Sequence, residues 1–381
     1  MHCLALISVV DPLLVDLVAL ALHGEDALVL TASLHAGPDA GPGTDLSAAP
    51  GSVTAADAPG DPGLADGFIR LTAAQVPLDA GTAPVLDVAR TTDCWTCSLR
   101  EVLVAVAEDR ARLEPDGATV VLLPPGVELI HLAPRLADDL ARVPGAALAG
   151  LAHVIDVDTA ARDLLTHQEL PGPGAAVEGR CAGELHMVAL GYADVVVALG
   201  RDPVGRDLVE HLRPHDTLLL PGLDAPLLGE LLALRHDAGT AVARVHPATT
   251  RAWGGPAEHG VRTLDLSSEM PFHPGRLREL VEDLAGHGLL ARGCFWLPSR
   301  PGRVCAWEVA GGAVSVGDAG LWPGESDGPR CHLVVTGVTD DEECERVRTA
   351  FAAILMRPDE LADALARVGA PDGLEDWFGQ G

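Results

Sequence analysis

Apolar and polar positions in the first 250 or so residues follow the pattern of strands that alternate with helices. Short apolar runs, typical of strands buried on both faces, occur at 2–10, 120–123, 151–157, 193–199 and 217–220, and residues 85–88 alternate as in a half-buried strand. Segments with one apolar helical face follow several of them, at 13–22, 99–113 and 226–235. The alternation predicts an α/β fold built on a doubly wound, mostly parallel sheet.

The pattern changes after residue 252. Strands are predicted close together at 261–266, 293–297, 304–309, 313–316 and 331–335, with helices near 277–284 and 347–355. Strand runs beside segregated helices indicate a smaller α+β domain. We therefore expect domains at 1–252 and 253–365 and a tail at 366–381. The segment 36–67, rich in Ala, Gly, Pro and Asp without periodicity, is expected to be a mobile surface insertion.

Composition narrows the function classes. The 381 residues carry a net charge of -29, which argues against broad contact with nucleic-acid phosphates. The eight cysteines are too sparse for a disulfide framework and indicate a reducing, cytoplasmic location. The apolar run 3–22 is interrupted by Asp11-Pro12 and Asp16, so we interpret it as a buried strand and a helix and expect no membrane association.

Cys94 and Cys97 lie at a predicted strand-to-helix junction. Ser98 and Glu101 form an S-x-x-E pattern that predicts Ser98 as the N-cap of the helix. Unpaired amides at a helix start favour thiolates. Three interpretations stay open: a zinc half-site, a thioredoxin-like redox pair, or inert thiols. Two thiolates do not complete a tetrahedral zinc site, and His131 is the best internal candidate for a further ligand.

Several segments together resemble the CobW-type proteins, P-loop GTPases associated with zinc and cobalt handling. The segment Cys94-x-x-Cys97-x-x-Arg100 matches the outer cysteines of their Gly-Cys-x-Cys-Cys-x-x-Arg motif, with Thr96 at the middle cysteine. The match to their C-terminal domain is more extensive: Pro271-Phe272-His273-Pro274, Gly293-Cys294-Phe295-Trp296-Leu297-x-Ser299-Arg300-Pro301, Trp307, Gly311-Gly312 and Gly320-x-Trp322. The resemblance implies a P-loop-like domain followed by a CobW C-terminal domain.

The nucleotide motifs of that family are largely replaced. The phosphate-binding loop would fall on the turn at Asp11-Pro12, which has no glycine, and the whole chain has no lysine. The family's Glu-x-x-Gly keeps only Gly126, and Glu128 is a weak candidate for the missing acid. The guanine-reading Asn-Lys-x-Asp keeps only Asp202, for which helix capping is the alternative role. We therefore do not expect GTP or magnesium as cofactors.

Within the family, the degenerate P-loop and the thiol segment look most like actinobacterial ribosome hibernation factor recruiting factors. The resemblance implies a zinc-binding protein that docks to a protein partner, either a hibernation factor at the ribosome or a zinc-receiving protein. One alternative is a GTP-dependent zinc metallochaperone, an enzyme with an altered phosphate site in which Arg90 or Arg100 replaces the lysine. A CxxC redox protein is the other alternative. No catalytic residue is predicted.

Three further groups are interpreted from their positions alone. Asp158, after the strand at 151–157, is expected to cap the next helix. Cys294 and Cys305 fall on adjacent strands, where they either face each other or are separate core thiols. Trp296, Arg300 and Trp307 are interpreted as either a protein-binding face with a cation–π contact or part of the core.

Overall fold

A computed structural model describes residues 1–23, 26–36, 67–74, 85–170, 180–286, 288–324, 328–366 and 368–378. Its first part contains an eight-stranded sheet with strand order β4-β3-β2-β5-β1-β6-β7-β8. The strands are β1 His2–Val9, β2 Leu28–Ala36, β3 Gly67–Ala73, β4 Val85–Ala89, β5 Ala118–Leu122, β6 Ala146–Asp156, β7 Val195–Leu199 and β8 Leu218–Leu220. All neighbours are parallel except β3, which runs antiparallel to β2 and β4. The prediction of a doubly wound, mostly parallel sheet is confirmed.

Helices cover both faces of this sheet. They are α1 Pro12–Leu22, α2 Trp95–Leu113, α3 Leu129–Leu140, α4 Val157–Leu165, α5 Ala182–Tyr192, α6 Pro203–Leu212, α7 Leu227–Ala233 and α8 Ala238–Val245. Apolar side chains of α1 and α7 pack on one face, and those of α2, α3 and α8 pack on the other. Because α2 and α3 are neighbours on the same face, they bring the loops before them to one end of the sheet.

The second part is a five-stranded antiparallel sheet with order β12-β11-β10-β13-β9. Its elements are β9 Val261–Ser268, α9 Pro274–Ala285, β10 Leu289–Phe295, β11 Arg303–Ala310, β12 Ala313–Leu321, β13 Cys331–Val338, α10 Asp341–Ile354 and α11 Pro358–Leu365. Buried Phe272, Phe295 and Phe351 form its aromatic centre together with Trp307. This is the α+β arrangement that the sequence predicts.

Two expected segment boundaries look different in the structure. Ala36 and Gly67, the ends of the expected insertion, belong to β2 and β3, and 37–66 lies outside the described residues. The described residues 368–378 of the expected tail pack on the second sheet. There the Gly369 amide donates to the Ser299 carbonyl at 2.7 Å, and Leu374 is buried.

The two sheets meet where the hairpin between β11 and β12 contacts α4 and α5. The Gly311 amide donates to the Leu164 carbonyl at 2.9 Å, and the Cys181 thiol lies 3.7 Å from the Ala310 carbonyl oxygen. Apolar side chains from both parts, among them Leu208 and Leu290, share one buried cluster. Backbone and core therefore both join the two parts.

The structure decides between the alternatives for the second sheet. Cys294 pairs with Ala306 and Phe295 pairs with Cys305, so the two thiols point to opposite faces of the sheet and are separate core residues. Trp296 and Trp307 are also buried, so the suggested protein-binding face is wrong because folding the sheet uses these rings. Arg300 makes its cation–π contact with Phe378, at 4.2 Å from the ring centre.

No helix among the described residues combines the length and apolar character needed to cross a membrane.

Candidate metal site

The thiol pair lies at the junction between β4 and α2. The helix begins at Trp95, and Cys94 is its N-cap: the Cys94 sulfur accepts the amide hydrogen of Cys97 at 3.3 Å. The prediction that Ser98 caps the helix is therefore wrong. Ser98 lies inside the first turn and is buried, because its side chain faces the loop instead of ending the helix.

Ser98 instead holds the loop that precedes the thiols. Its hydroxyl oxygen accepts the amide hydrogens of Thr91 and Thr92, each at 3.2 Å. The Thr91 hydroxyl donates to Glu101 at 2.7 Å, one turn further along α2. The segment before Cys94 is thus tied to the helix that follows it, which fixes the direction in which the first sulfur points.

An aromatic contact fixes the start of α2 against the sheet. The Arg90 guanidinium stacks on the Trp95 ring at 4.7 Å and pairs with Asp93 at 3.5 Å. A β-carbon placed on Gly67 would lie 2.6 Å from the Trp95 ring, so only glycine on β3 leaves room for this indole. The residue after Cys94 therefore serves as an anchor for the thiol loop.

The two sulfurs differ in exposure and in acidity. Cys94 is exposed and Cys97 is half-buried. Burial acts to raise the pKa of Cys94, but hydrogen bonds from the Cys97 side chain and amide and from the Thr96 amide, with the charge of Arg135, outweigh it and lower that pKa. The pKa of Cys97 is raised, first because its thiol hydrogen-bonds to Cys94, then by burial and by the charge on Cys94. The first negative charge of the pair therefore resides on Cys94.

Two arginines place positive charge beside the sulfurs. The charge of Arg100 on α2 opposes the rise in the pKa of Cys97, and Arg100 pairs with Asp139 at 3.3 Å. Arg135 of α3 is exposed, and its charge acts to lower the pKa of both thiols. It makes no ion pair with any residue in the described part of the chain. Arg135 was not predicted from the sequence, because its position depends on how α3 packs on α2; its place one helical turn after His131 was the available signal.

The structure does not bring His131 together with the thiols. His131 lies on the first turn of α3 with its side chain 66% exposed, and its ring nitrogen is 3.8 Å from Glu128. Within the described ranges, no group of three or more His, Cys, Asp or Glu side chains is placed to hold a metal ion. Zinc prefers four ligands in tetrahedral geometry, so the described residues fit half of a structural zinc site.

Glu128, the candidate for the missing acid, is engaged elsewhere. Its carboxylate is largely buried and lies 3.4 Å from Arg180, which also pairs with Glu184 at 3.4 Å. Glu128 occupies the N-cap position of α3 without making a side-chain capping bond. Its surroundings are those of a structural ion pair.

The turn between β1 and α1 consists of Val10 and Asp11. The Asp11 carboxylate accepts the amide hydrogen of Leu13 at 2.9 Å, and Pro12 has no amide hydrogen to offer. A carboxylate therefore already occupies the helix start at which a phosphate would bind.

Asp202 and Asp156 cap helices, whereas Asp158 binds backbone amides in the loop after β7. Asp202 accepts the Gly205 amide hydrogen at 2.8 Å and caps α6, in agreement with the capping alternative. Asp156, and not Asp158, caps α4, so the expectation for Asp158 is wrong. Asp158 instead accepts the amide hydrogens of Arg201 and Asp202, both at 2.7 Å, which lowers the pKa of Asp158.

Comparison with known protein families identifies the domain that contains the antiparallel sheet. Residues 261–355 match the family model described as the cobalamin synthesis protein cobW C-terminal domain, which spans most of the antiparallel sheet.

The chain therefore contains a cobW C-terminal domain at residues 261–355.

Its similar relatives include the zinc chaperone Rv0106 of Mycobacterium tuberculosis and the uncharacterized protein Mb0109 of Mycobacterium bovis. Each is 28% identical over 244 residues, which are 60% of this chain. The chain spans about 58% of the length of these relatives. The Zn(II)-bound YjiA GTPase of E. coli aligns over 93% of this chain and 99% of its own, at 11% identity and a TM-score of 0.35, a likeness too low to support a functional conclusion.

Proposed function

We propose that this protein binds zinc as cargo through Cys94 and Cys97 and exchanges it with a protein partner that supplies the remaining ligands. The observation that carries the proposal is the exposed thiol pair, fixed at the start of α2 by Ser98 and Trp95. A thiolate is the form of cysteine that binds zinc, and the surroundings of Cys94 favour it.

A site with two protein ligands suits the exchange of zinc better than its storage. A closed four-ligand site holds zinc as part of the fold, whereas an open pair leaves positions for a partner's side chains. The similar mycobacterial protein carries the name zinc chaperone, which supports zinc as the cargo. The partner implied by the family resemblance is a ribosome hibernation factor or a zinc-receiving protein.

We further propose that the exchange does not use GTP. A triphosphate needs several amide donors and a cation at the first helix, and here Pro12 and the Asp11 carboxylate stand at that position. Moving a phosphate to this turn would bring like charges together. No observation among the described residues favours the GTP-dependent alternative over a nucleotide-independent binding protein.

Competition with a chromophoric zinc chelator tests the zinc proposal. Cys94→Ser and Cys97→Ser are each expected to weaken zinc binding by at least about tenfold, because each removes one of two thiolate ligands. Cys3→Ser is the matched control, since Cys3 is also partly exposed but hydrogen-bonds to the Met1 carbonyl in another part of the sheet. Zinc affinity that is equal in the wild type and all three variants would refute the assignment.

A calorimetric titration with GTP and magnesium tests the nucleotide proposal on the same samples. We expect no binding at micromolar nucleotide. Micromolar binding with turnover would replace the proposal by the GTPase alternative. Co-sedimentation of zinc-loaded and zinc-free protein with purified ribosomes and a hibernation factor then distinguishes the two kinds of partner.

A further inference from the structure

We propose that Cys94 and Cys97 form a reversible disulfide by exchange with small anionic disulfides, and that this disulfide and bound zinc exclude each other. The inference rests on the proposed zinc function, because it assigns a control to the same pair of thiols. It adds a reaction, a class of reactant and a condition under which the cargo is released.

The backbone around the pair allows the two sulfurs to meet. Cys94 is the N-cap and Cys97 is the third residue of α2, so the two side chains project from one turn of backbone. The Cys94 sulfur already lies 3.3 Å from the Cys97 nitrogen. Ser98 binds the Thr91 amide and Glu101 binds the Thr91 hydroxyl, so the loop before Cys94 is held in place. Closing the disulfide therefore requires side-chain rotation and little movement of the backbone.

The burial of five of the other six cysteines makes the reaction selective. Cys181, Cys294, Cys305, Cys331 and Cys344 are buried, and the partly exposed Cys3 on β1 donates to the Met1 carbonyl. Exchange occurs only when a thiolate can reach a sulfur of the disulfide along the line of the sulfur–sulfur bond. Cys94 is exposed and Cys97 is half-buried, so Cys94 is the attacking residue and Cys97 the resolving residue.

The positive side chains beside the pair select the charge of the reactant. Arg135 is exposed and makes no ion pair within the described residues, and the charge of Arg100 also acts on Cys97. The chain as a whole carries a charge of -29, but at physiological salt charges more than about 8 Å away are largely screened. The nearby carboxylates of Asp93 and Asp139 are paired with Arg90 and Arg100, so Arg135 gives the site its preference for a carboxylate-bearing disulfide.

Each step of the exchange is balanced. The Cys94 thiolate attacks one sulfur of the small disulfide, which forms a mixed disulfide and releases one small thiolate. Cys97 then loses its proton to solvent and attacks the Cys94 sulfur, which forms the internal disulfide and releases the second small thiolate. The protein loses two electrons, the small disulfide gains them, and zinc held by the two thiolates leaves as the free ion.

Mass spectrometry after treatment of the reduced protein with oxidised glutathione tests the reaction. We expect a peptide linked through Cys94 and Cys97, unchanged in Cys3→Ser, whereas Cys97→Ser stops at a mixed disulfide on Cys94. A mixed disulfide that persists on wild-type Cys94, or oxidation mainly at the buried cysteines, would overturn the proposal. Circular dichroism of each product shows whether the fold is retained.

The charge preference is tested by comparing oxidised glutathione, which is anionic, with cystamine, which is cationic. The ratio of the two rates is expected to fall roughly threefold or more in Arg135→Ala, since a nearby exposed charge attracts the anionic reactant and repels the cationic one. Asp138 neighbours Arg135 on α3 and is exposed, so Asp138→Ala is the matched control and should not lower the ratio. An unchanged ratio in Arg135→Ala would remove the anionic class.

Zinc titration of the reduced and oxidised forms separates this inference from the proposed function. Oxidation should abolish zinc binding, and a reductant should restore it. Reduced protein that fails to bind zinc refutes the proposed function. Reduced protein that binds zinc but forms no internal disulfide, or oxidised protein that binds zinc equally well, refutes only the inference.

Discussion

Cys94 is a helix cap and, in the proposed function, also a zinc ligand, and the two roles favour different atoms. Oxygen-bearing side chains are the usual N-caps, and sulfur is a weaker hydrogen-bond acceptor. The Cys94 sulfur nevertheless accepts the Cys97 amide hydrogen at 3.3 Å. A cap made of sulfur gives up part of the capping energy and gains a thiolate held next to the helix start. This trade is reasonable only where the sulfur has a chemical role.

Thr96 offers a direct test of how many sulfurs the site can use. It lies between the two thiols in the first turn of α2 and occupies the position of the family's middle cysteine. Thr96→Cys is expected to raise zinc affinity about tenfold or more, because a third thiolate replaces a weakly held water. Competition with a chelator measures the change.

The control for this gain is Thr96→Ser, which alters the same position without adding a ligand. Its zinc affinity should match that of the wild type. If Thr96→Cys also matches the wild type, the third sulfur does not reach the metal and the two outer thiols are not arranged as the family resemblance implies.

Single-residue predictions succeeded where the role is decided by neighbours in the sequence. The capping alternative for Asp202 needs only the helix that follows it, and it is observed. Ser98 fulfils the local capping pattern equally well, yet its hydroxyl binds two amides of a loop that returns to it from Thr91. The sequence does not show that return, because it depends on the packing of Trp95 beside Gly67.

Two buried histidines link the central strand β6 to helix α5. His153 Nε2 and His186 Nδ1 are 2.9 Å apart, and both rings are buried. Burial lowers the pKa of His186 to about 4. Burial, and then the neighbouring charge of His186, lower the pKa of His153 well below its usual range. A neutral pair is therefore part of the folded state at pH 7.

The pair predicts that stability falls on mild acidification. In the unfolded chain a histidine binds a proton near pH 6.5, whereas folded His186 does so only near pH 4, so protons favour the unfolded chain between these values. The contribution is complete above about pH 6.5 and decreases by up to about 1.4 kcal/mol per pH unit for each histidine as the pH falls. Urea unfolding at a series of pH values from neutral to mildly acidic measures it.

Replacing His186 isolates this effect from the titration of carboxylates. His186→Asn keeps a polar partner for His153 and should flatten the pH dependence of the unfolding free energy. His167→Asn, at an exposed histidine, should leave the slope as in the wild type. A wild-type slope in His186→Asn would show that the buried pair does not control acid stability.

Among the elements, the buried parallel strands at the centre of the first sheet were predictable, and two strands of its antiparallel part were not. β1, β5 and β7 are continuous apolar runs, because both of their faces are covered. β2 and β3 were missed. They adjoin the antiparallel edge, where polar Ser33, Arg70 and Asp87 alternate with apolar residues, and the Arg70–Asp87 pair at 2.7 Å joins β3 to β4. Strands with alternating polar positions give a weaker sequence signal than continuous apolar runs.

At the scale of the whole molecule, each of the two sheets was predictable from the sequence, and the interface between them was not. The change from alternating strands and helices to clustered strands identifies two parts, and nothing in either pattern shows where they touch. The contact is made by small residues: Gly183 of α5 lies against Gly311 of the hairpin between β11 and β12. Close approach of two backbones requires glycine, and a single glycine is too common to be recognised as such in a sequence.

Gly183→Ala tests whether this close approach holds the two parts together. A β-carbon at Gly183 would lie 2.7 Å from the Gly311 nitrogen and 2.9 Å from the carbonyl oxygens of Asp163 and Leu164. All three are backbone atoms, so α5 must move away from α4 and from the hairpin. We expect a loss of about 1–3 kcal/mol in the free energy of unfolding, as for an overpacked core. Urea unfolding measures the loss.

Gly229→Ala provides the matched control, because Gly229 is also helical, on α7, but a β-carbon placed there would meet no described atom within 4 Å. There the substitution should stabilise the protein by about 0.5–1 kcal/mol, since alanine loses less backbone entropy in a helix. The two alanines thus have opposite expected signs. Hydrogen exchange should also increase at the Gly311 amide only in Gly183→Ala, because that amide donates to Leu164 across the interface. Equal effects of both substitutions would mean that the hairpin is not held by this contact.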